Sequence, residues 1–323
     1  MTRSLARTVA VTCLIACAAL AAPSGSSAKT LVGIGDQNAV GMFDNPVFQD
    51  LKIKRSRIVV PWNVAQKRGD RIFLDKWLAQ AKAAHVEALV HFASASGSRC
   101  ARGAGRGCKL PTVKQFTKAF KAFRKRYRSL RIIGVWNEGN VRSQPTFKNP
   151  KRAAQFFNVV RKNCHGCKIV AADVLDDPNM VRWLKVFKKT AHGARIRGLH
   201  NYRDVNPRKG QLTGGTKRLL KAVRGQVWLT ETGGIVKFVL PNRHTLFPFS
   251  EARANTAVKK MFSLGKKYRK RIKRLYIYNW RAPLSSARFD SGLIRHFDIT
   301  QIQSARPAYF TIQKQLKTPF FGP

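Results

Sequence analysis

The chain has 323 residues, of which 62 are lysine or arginine and only 15 are aspartate or glutamate, so its formal net charge is +47. Such a charge predicts attraction to polyanions and salt-sensitive binding, but it carries no information about the fold. Beyond the first 28 residues no stretch is apolar and long enough to be a candidate membrane helix, and the remaining length suits one barrel or two small domains.

The N-terminal segment, residues 1–28, has the pattern of an export signal. Arg3 and Arg7 form a basic start, an apolar core follows, and the segment ends in small residues. We therefore expect cleavage after Ala28 and a secreted, extracellular protein made of residues 29–323.

Eight short β-branched runs follow, and their middles are apolar without strict alternation, as in buried parallel strands. They occupy residues 31–36, 55–62, 86–92, 131–138, 168–174, 195–202, 226–232 and 274–280. Helical patterns separate them, for example at 111–128, after Ser250, and at 307–316. Eight strand–helix units predict an α/β fold, a single (β/α)8 TIM barrel. A doubly wound open sheet is the alternative, although it rarely needs eight such regular units.

Four cysteines remain after the export signal: Cys100, Cys108, Cys164 and Cys167. An even number in an exported protein favours disulfides, and three pairings are open. We expect the local one, which joins the first two and the last two. A four-cysteine zinc site is the alternative, and export makes it less favoured because it promotes oxidation.

Segments that follow several of the predicted strands are long and rich in Gly, Ser and Pro, whereas those leading into strands are short. In a barrel the carboxyl ends of the strands converge on one cavity, where the active site lies. Candidate substrate-binding residues stand at or near these ends: Arg57, Trp62, His91, Asn137, His200, Tyr202 and Trp280.

Glu138 closes the fourth predicted strand and Glu231 lies at the end of the seventh, in a chain with only four glutamates. Two carboxyl groups that face each other suit glycosidic-bond cleavage, because one donates a proton to the leaving group while the other attacks or activates water. Arg57 is a candidate for holding the Glu231 carboxylate. Trp280 offers an apolar face for a sugar ring, and Asn137 can hydrogen-bond a sugar hydroxyl.

With these motifs the sequence resembles clan A of the glycoside hydrolases, a group of retaining (β/α)8 families, over nearly all of residues 29–323. Members carry an Asn-Glu pair after strand four and a second Glu after strand seven, which match Asn137-Glu138 and Glu231. The resemblance implies that Glu138 is the acid/base and Glu231 the nucleophile. No family within the clan is assigned, because Gly139 stands where members commonly have Pro.

The resemblance extends to four other strand ends. Arg57 of "RIVVPW" matches the arginine that members place near the nucleophile, and "HNY" supplies His200 and Tyr202. "YNW" matches the sugar-stacking tryptophan with Trp280, and His91 is a weaker match to a histidine of strand three.

Each of these residues also has a structural alternative. Glu138 or Glu231 could be solvated or paired with one of the many basic side chains. Trp280 could pack in the core, and Tyr202 could be an ordinary hydrogen-bonded barrel residue. A histidine such as His200 is more often structural than catalytic.

Taken together, the motifs predict a retaining O-glycosyl hydrolase that acts on a polysaccharide or oligosaccharide, with β-linked substrates expected, and that requires no cofactor and no metal. A non-catalytic carbohydrate- or cell-envelope-binding protein on the same barrel is the alternative. The charge alone suggests a nucleic-acid binder, but no nucleic-acid-binding module is recognised and no specific nucleic-acid partner is expected. We expect a monomer. Its charge is interpreted as a solvated basic surface suited to an anionic cell envelope or an acidic setting, and the alternatives are binding to anionic envelope polymers or a substrate that is itself anionic.

Overall fold

The computed structural model describes residues 28–37, 41–96, 100, 108–296 and 300–323. Apart from Ala28, the predicted export signal lies outside these residues. Within the described ranges, no helix has both the length and the apolar character that a membrane span requires.

The strands are β1 Thr30–Gly35, β2 Arg55–Pro61, β3 Glu87–Ala93, β4 Ile132–Gly134, β5 Lys168–Leu175, β6 Ile196–His200, β7 Gln226–Thr232, β8 Lys237–Val239, β9 Thr245–Phe247, β10 Ile272–Tyr278, β11 Phe289–Asp290 and β12 Phe321–Gly322. Strands β1 to β7 and β10 pair in parallel in chain order, and β10 closes the sheet onto β1. The predicted (β/α)8 barrel is confirmed.

The helices are α1 Pro46–Asp50, α2 Arg68–Ala83, α3 Val113–Arg126, α4 Pro150–Asn163, α5 Met180–Thr190, α6 Tyr202–Val205, α7 Gly215–Ala222, α8 Glu251–Lys267 and α9 Pro307–Leu316. Local sequence explains two of their starts. Thr112 and Gln115 form a capping box at α3, and the Ser250 hydroxyl accepts from the Arg253 N–H at α8. The phenylalanine stripe of α3 packs edge-on around Phe92 of β3.

The barrel interior holds an apolar layer that is separate from the core between the strands and the helices. It consists of Leu89, Ile132, Val170, Ile196, Trp228 and Tyr276. Because these side chains come from β3 to β7 and from β10, the barrel is filled rather than hollow.

A charged cluster lies below this layer, at the amino ends of the strands. Arg274 of β10 pairs with Glu87 of β3 and donates a hydrogen bond to the Tyr276 hydroxyl, 3.1 Å away. The Arg274 guanidinium lies 4.3 Å from the centre of the Trp228 ring, and Arg55 is 3.8 Å from Glu87. We call Arg55, Glu87, Arg274 and Tyr276 the amino-end cluster.

Several elements were not predicted from the sequence. Strands β8, β9 and β11 form a small antiparallel sheet after β7. Strand β12 pairs with the first residues of β1, next to the start of the barrel. Strand β4 is shorter than predicted and ends at Gly134, although the N–H groups of Val135 and Asn137 still donate to backbone carbonyls of β5 and β3.

Candidate active site

Both glutamates of the predicted pair contact one nitrogen atom. Oε1 of Glu138 lies 3.1 Å from Nδ1 of His200, and Oε2 of Glu231 lies 3.7 Å from the same nitrogen. The two oxygens are therefore no farther apart than these distances laid end to end, below roughly 7 Å, which is compatible with the roughly 5–5.5 Å separation of retaining glycosidases.

The carboxylate of Glu231 is held by two donors. Nη1 of Arg57 donates to Oε2 at 2.8 Å, and the Tyr202 hydroxyl donates to Oε1 at 3.1 Å. Strand β7 places Glu231 opposite His200 of β6, and Tyr202 begins helix α6 two residues later. The two donors fix the orientation of the carboxylate and neutralise its charge.

Arg57 of β2 organises the floor of the cavity. Its Nε donates to Nδ1 of His91 at 3.1 Å, and its Nη2 donates to Asn137 and, at 3.2 Å, to Oδ2 of Asp173. The side chain is 1% exposed, so Arg57 positions other groups and does not reach a sugar. The expectation that it holds Glu231 agrees with this geometry, whereas a direct substrate contact does not.

Asp173 of β5 is the site residue for which the sequence suggested no role. Its carboxylate accepts from Thr230 and lies 3.0 Å from Nε2 of His200, besides its bond to Arg57. Burial alone would raise the pKa of Asp173, but the charges of His200, His91 and Arg57 and the His200 hydrogen bond lower it well below its usual range. Its position at the end of a predicted strand was the available signal.

The two buried histidines titrate in opposite directions. Burial alone would lower the pKa of His200, but the Asp173 and Glu231 carboxylates and its hydrogen bonds raise it to about 10. Burial lowers the pKa of His91 to about 3, against the pull of Asp173. At neutral pH His200 is therefore an imidazolium that donates to Asp173 and Glu138, whereas His91 is neutral and accepts from Arg57.

Two glycines of the barrel wall make this polar layer possible. A Cβ atom at Gly134 of β4 would overlap the ring of His91, and one at Gly198 of β6 would overlap the carboxylate of Asp173. Both positions face the barrel interior and must lack a side chain for the polar groups to fit.

Glu138 adopts a left-handed backbone conformation with φ of 49°. This conformation is uncommon for a residue with a side chain, and it persists only where the surroundings fix it. The N–H of the next residue, Gly139, donates to the backbone carbonyl of Asp173 at 2.9 Å. A proline at position 139 would lack this donor, which gives a structural reason for the departure from the clan pattern.

Glu138 and Glu231 line a cavity of about 330 Å³ at the carboxyl ends of the strands. Its walls come from the segments after β5, β6 and β7 and from the small antiparallel sheet. Its aromatic lining residues are Tyr202, Phe238, Phe247 and Phe289. Phe289 contacts Tyr202 and Phe238 edge-on, with ring centres 6.2 and 5.5 Å apart. These phenylalanines lie on long connections and carried no strand-end signal.

Trp280 does not have the role expected for it. Its ring is 2% exposed and packs edge-on against Phe48 with ring centres 5.5 Å apart, so no face remains for a sugar. The sugar-stacking interpretation is therefore wrong, and the core-packing alternative describes the residue. His91 is likewise buried below the cavity, and Trp62 stacks on Phe116 at the edge of the core.

The four cysteines form the two local disulfides, Cys100–Cys108 and Cys164–Cys167. The first lies after β3, at the carboxyl-end face of the barrel, and most of the loop that it brackets lies outside the described residues. The second precedes β5 at the opposite face.

The barrel resembles solved glycoside hydrolases. A psychrophilic glycoside hydrolase family 10 endo-β-1,4-xylanase is 13% identical over 87% of this chain and 95% of its own, with a TM-score of 0.62. A monomeric β-xylosidase from Caulobacter crescentus CB15 is 13% identical over 88% and 67%, with a TM-score of 0.58. A β-glucosidase from Thermotoga maritima in complex with castanospermine is 12% identical over 86% of each chain, with a TM-score of 0.57.

At the level of sequence, no family model matches the chain and no curated protein is significantly similar to it. The solved neighbours belong to several glycoside hydrolase families, among them also a family 113 β-1,4-mannanase. The chain therefore shares the barrel fold of clan A glycoside hydrolases without assignment to one family within the clan.

Proposed function

We propose that the protein is a secreted, retaining glycoside hydrolase that cleaves β-linked O-glycosidic bonds of a polysaccharide through a covalent intermediate. The observation that carries this proposal is the convergence of Glu138 and Glu231 on one nitrogen of His200 inside one cavity. Two carboxylates that line one cavity in this way can act from both sides of a bound sugar.

In the first step Glu231 attacks the anomeric carbon while Glu138 gives its proton to the glycosidic oxygen, and the leaving sugar departs with that proton. Arg57 and Tyr202 hold the attacking carboxylate at 2.8 and 3.1 Å, which limits its freedom before the reaction. This fixed orientation is the contribution of the protein to the attack.

In the second step Glu138 takes a proton from water, which attacks the anomeric carbon and releases Glu231. His200 donates to Oε1 of Glu138 from its protonated ring and keeps this carboxylate directed towards the cavity. Asn137 is held by Arg57 through its carbonyl oxygen, which leaves its NH₂ group to donate to a sugar hydroxyl.

The proposal draws further support from the solved neighbours, whose names state β-glucosidase, β-xylosidase, β-1,4-mannanase and endo-β-1,4-xylanase activities. Secretion is supported by the two disulfides, since such bonds persist in oxidising compartments. Sequencing the N-terminus of exported protein tests the expected cleavage after Ala28.

A screen of soluble β-linked polysaccharides for new reducing ends tests the activity, with Glu231→Gln as the matched control. We expect reducing ends with the wild-type protein only, and product of retained anomeric configuration by NMR. Binding to glycans without any release of reducing ends would instead favour the non-catalytic carbohydrate- or envelope-binding protein.

A further inference from the structure

The cavity that contains the glutamates is the middle of three adjoining cavities. Arg203 lines both the central cavity and a second one of about 520 Å³, and Phe289 lines both the central cavity and a third of about 460 Å³. The three cavities are therefore neighbours on the carboxyl-end face, with that of Glu138 and Glu231 in the middle, and we refer to them together as the groove.

Among the described residues, the lysine and arginine side chains that line this groove are all arginines. They are Arg142, Arg182, Arg203, Arg208 and Arg281. Lysines make up nearly half of the basic residues in the chain, so a random basic surface would supply both types. Arginine differs from lysine in its planar fork of donors, which fits a carboxylate, sulfate or phosphate group with two parallel hydrogen bonds.

Among the described contacts, one acidic side chain of the groove pairs with one of these arginines. Besides the two glutamates, the acidic side chains of the groove are Asp36 and Asp177. Asp36 accepts from the backbone N–H groups of Trp280 and Arg281 at 3.1 Å each. Asp177 pairs with Arg203 at 2.5 Å.

Arg142 and Arg182 have no such partner. Arg142 follows β4, Arg182 lies in the first turn of α5, and both are exposed at the cavity that adjoins Arg203. Among the described residues, neither side chain has a hydrogen bond or an ion pair. Two uncompensated guanidinium groups beside a catalytic cavity attract an anionic group of a bound ligand.

We propose that the substrate is an anionic polysaccharide that is cleaved internally, with its acidic groups bound by Arg142 and Arg182. This inference rests on the proposed hydrolase function and adds its substrate class. A groove that extends on both sides of the glutamates accommodates sugar units on both sides of the scissile bond. The arginines then select units that carry a negative group.

The test compares matched β-1,4-linked gluco- and manno-oligosaccharides with neutral, C6-carboxylated or sulfated backbones at one ionic strength. We expect the anionic forms to be cleaved with the higher kcat/KM and to give oligosaccharide products of several lengths. The carboxylated and sulfated arms identify which anion the arginines prefer. The variants are Arg142→Gln and Arg182→Gln, each expected to raise KM for the anionic form about tenfold and to leave the neutral form unchanged.

Arg224→Gln is the matched control, because it removes the same charge from an exposed position before β7, at the opposite face. Equal cleavage of neutral and anionic forms, or equal effects of all three substitutions, overturns the inference while the hydrolase function stands. If none of these oligosaccharides is cleaved and the screen of soluble β-linked polysaccharides also yields no reducing ends, the hydrolase function fails. Calorimetric binding of the carboxylated forms to the same variants then still decides whether the arginines recognise the anion.

Discussion

Charged side chains lie at both ends of the barrel interior, and the two ends treat their carboxylates differently. In the amino-end cluster one carboxylate, Glu87, lies between Arg55 and Arg274 and is 40% exposed. At the other end lies the carboxyl-end cluster, formed by Arg57, His91, Glu138, Asp173, His200 and Glu231. It contains three carboxylates but only two cationic groups.

The two clusters also differ in how many carboxylates share one space. In the amino-end cluster two arginines pair with a single, partly exposed carboxylate. In the carboxyl-end cluster the cationic groups and Asp173 are fully buried, and only the two glutamates extend into the cavity. The comparison teaches that an exposed carboxylate does not by itself make a candidate active site. Glu87 is more exposed than Glu138 or Glu231, but only the carboxyl end brings two carboxylates together at one cavity.

Substitutions at the two ends of the barrel should differ most in their effect on catalytic activity. Glu138→Ala should lower kcat by about 10²- to 10⁴-fold, the range typical for removal of a general acid/base, and Glu231→Ala by at least as much. Glu87→Ala should change kcat less than twofold. Azide should rescue Glu231→Ala and yield a glycosyl azide of inverted configuration, which NMR identifies. Wild-type rates in either cavity variant would refute the assignment of the pair.

The second difference is in stability. Asp173→Asn removes the fully buried carboxylate that Arg57 and His200 share and leaves each of them with glutamates as its remaining carboxylate partners, so the free energy of unfolding should fall by about 3–5 kcal/mol. Glu87→Gln in the amino-end cluster should change the free energy of unfolding by about 1 kcal/mol or less, because this carboxylate is exposed to solvent. Urea unfolding of both variants measures the contrast, and equal losses would mean that the two clusters contribute alike.

A third test concerns the space beside His91 that exists because Gly134 has no side chain. Gly134→Ala places a methyl group against His91 and should cost about 1–3 kcal/mol by overpacking the carboxyl-end cluster. Gly69→Ala in α2 is the control, because nothing lies near that position and the change should be neutral or stabilise by up to about 1 kcal/mol. The melting temperature of Gly134→Ala should therefore fall, whereas that of Gly69→Ala should stay the same or rise.

The last effect, which is small within any single pH unit, is a difference in pH dependence. The pKa of His200 is raised from its ordinary value to about 10, so its contribution to stability is complete below pH 6.5 and is lost as pH rises towards 10. Between pH 7 and 10 the wild-type protein should lose stability faster than His200→Gln, by up to about 1.4 kcal/mol per pH unit. Glu87→Gln should retain the wild-type slope. Parallel curves for wild type and His200→Gln would show that the imidazolium is not stabilised by the fold.

Much of the fold followed from local patterns in the sequence. The apolar runs predicted all eight barrel strands, and the apolar stripe of 111–128 predicted α3 at Val113–Arg126. The ends of the runs also indicated Glu138 and Glu231, because a parallel barrel brings strand ends together whatever their distance in sequence.

The sequence did not predict which way a side chain at a strand end points or how deeply it is buried. Trp280 and Glu231 both stand near strand ends, yet the ring turns into the core beside Phe48 and the carboxylate turns into the cavity. Asp173 became a central residue only because Gly134 and Gly198 leave room for the polar layer, and a one-dimensional pattern does not record such space. The small sheet of β8, β9 and β11 was missed because its strands are too short to show a period.

The pairing of β1 has a consequence for how the chain reaches its native state. The Thr30 hydroxyl of β1 donates to the backbone carbonyl of Ile272, 242 residues away. The first residues of β1 also pair with β12 near the end of the sequence. Contacts of such sequence separation form slowly, because a long loop must close before they stabilise anything. The β1–β10 seam and the β1–β12 pairing therefore complete the barrel only after nearly the whole chain has been synthesised, which makes barrel closure a late event in folding.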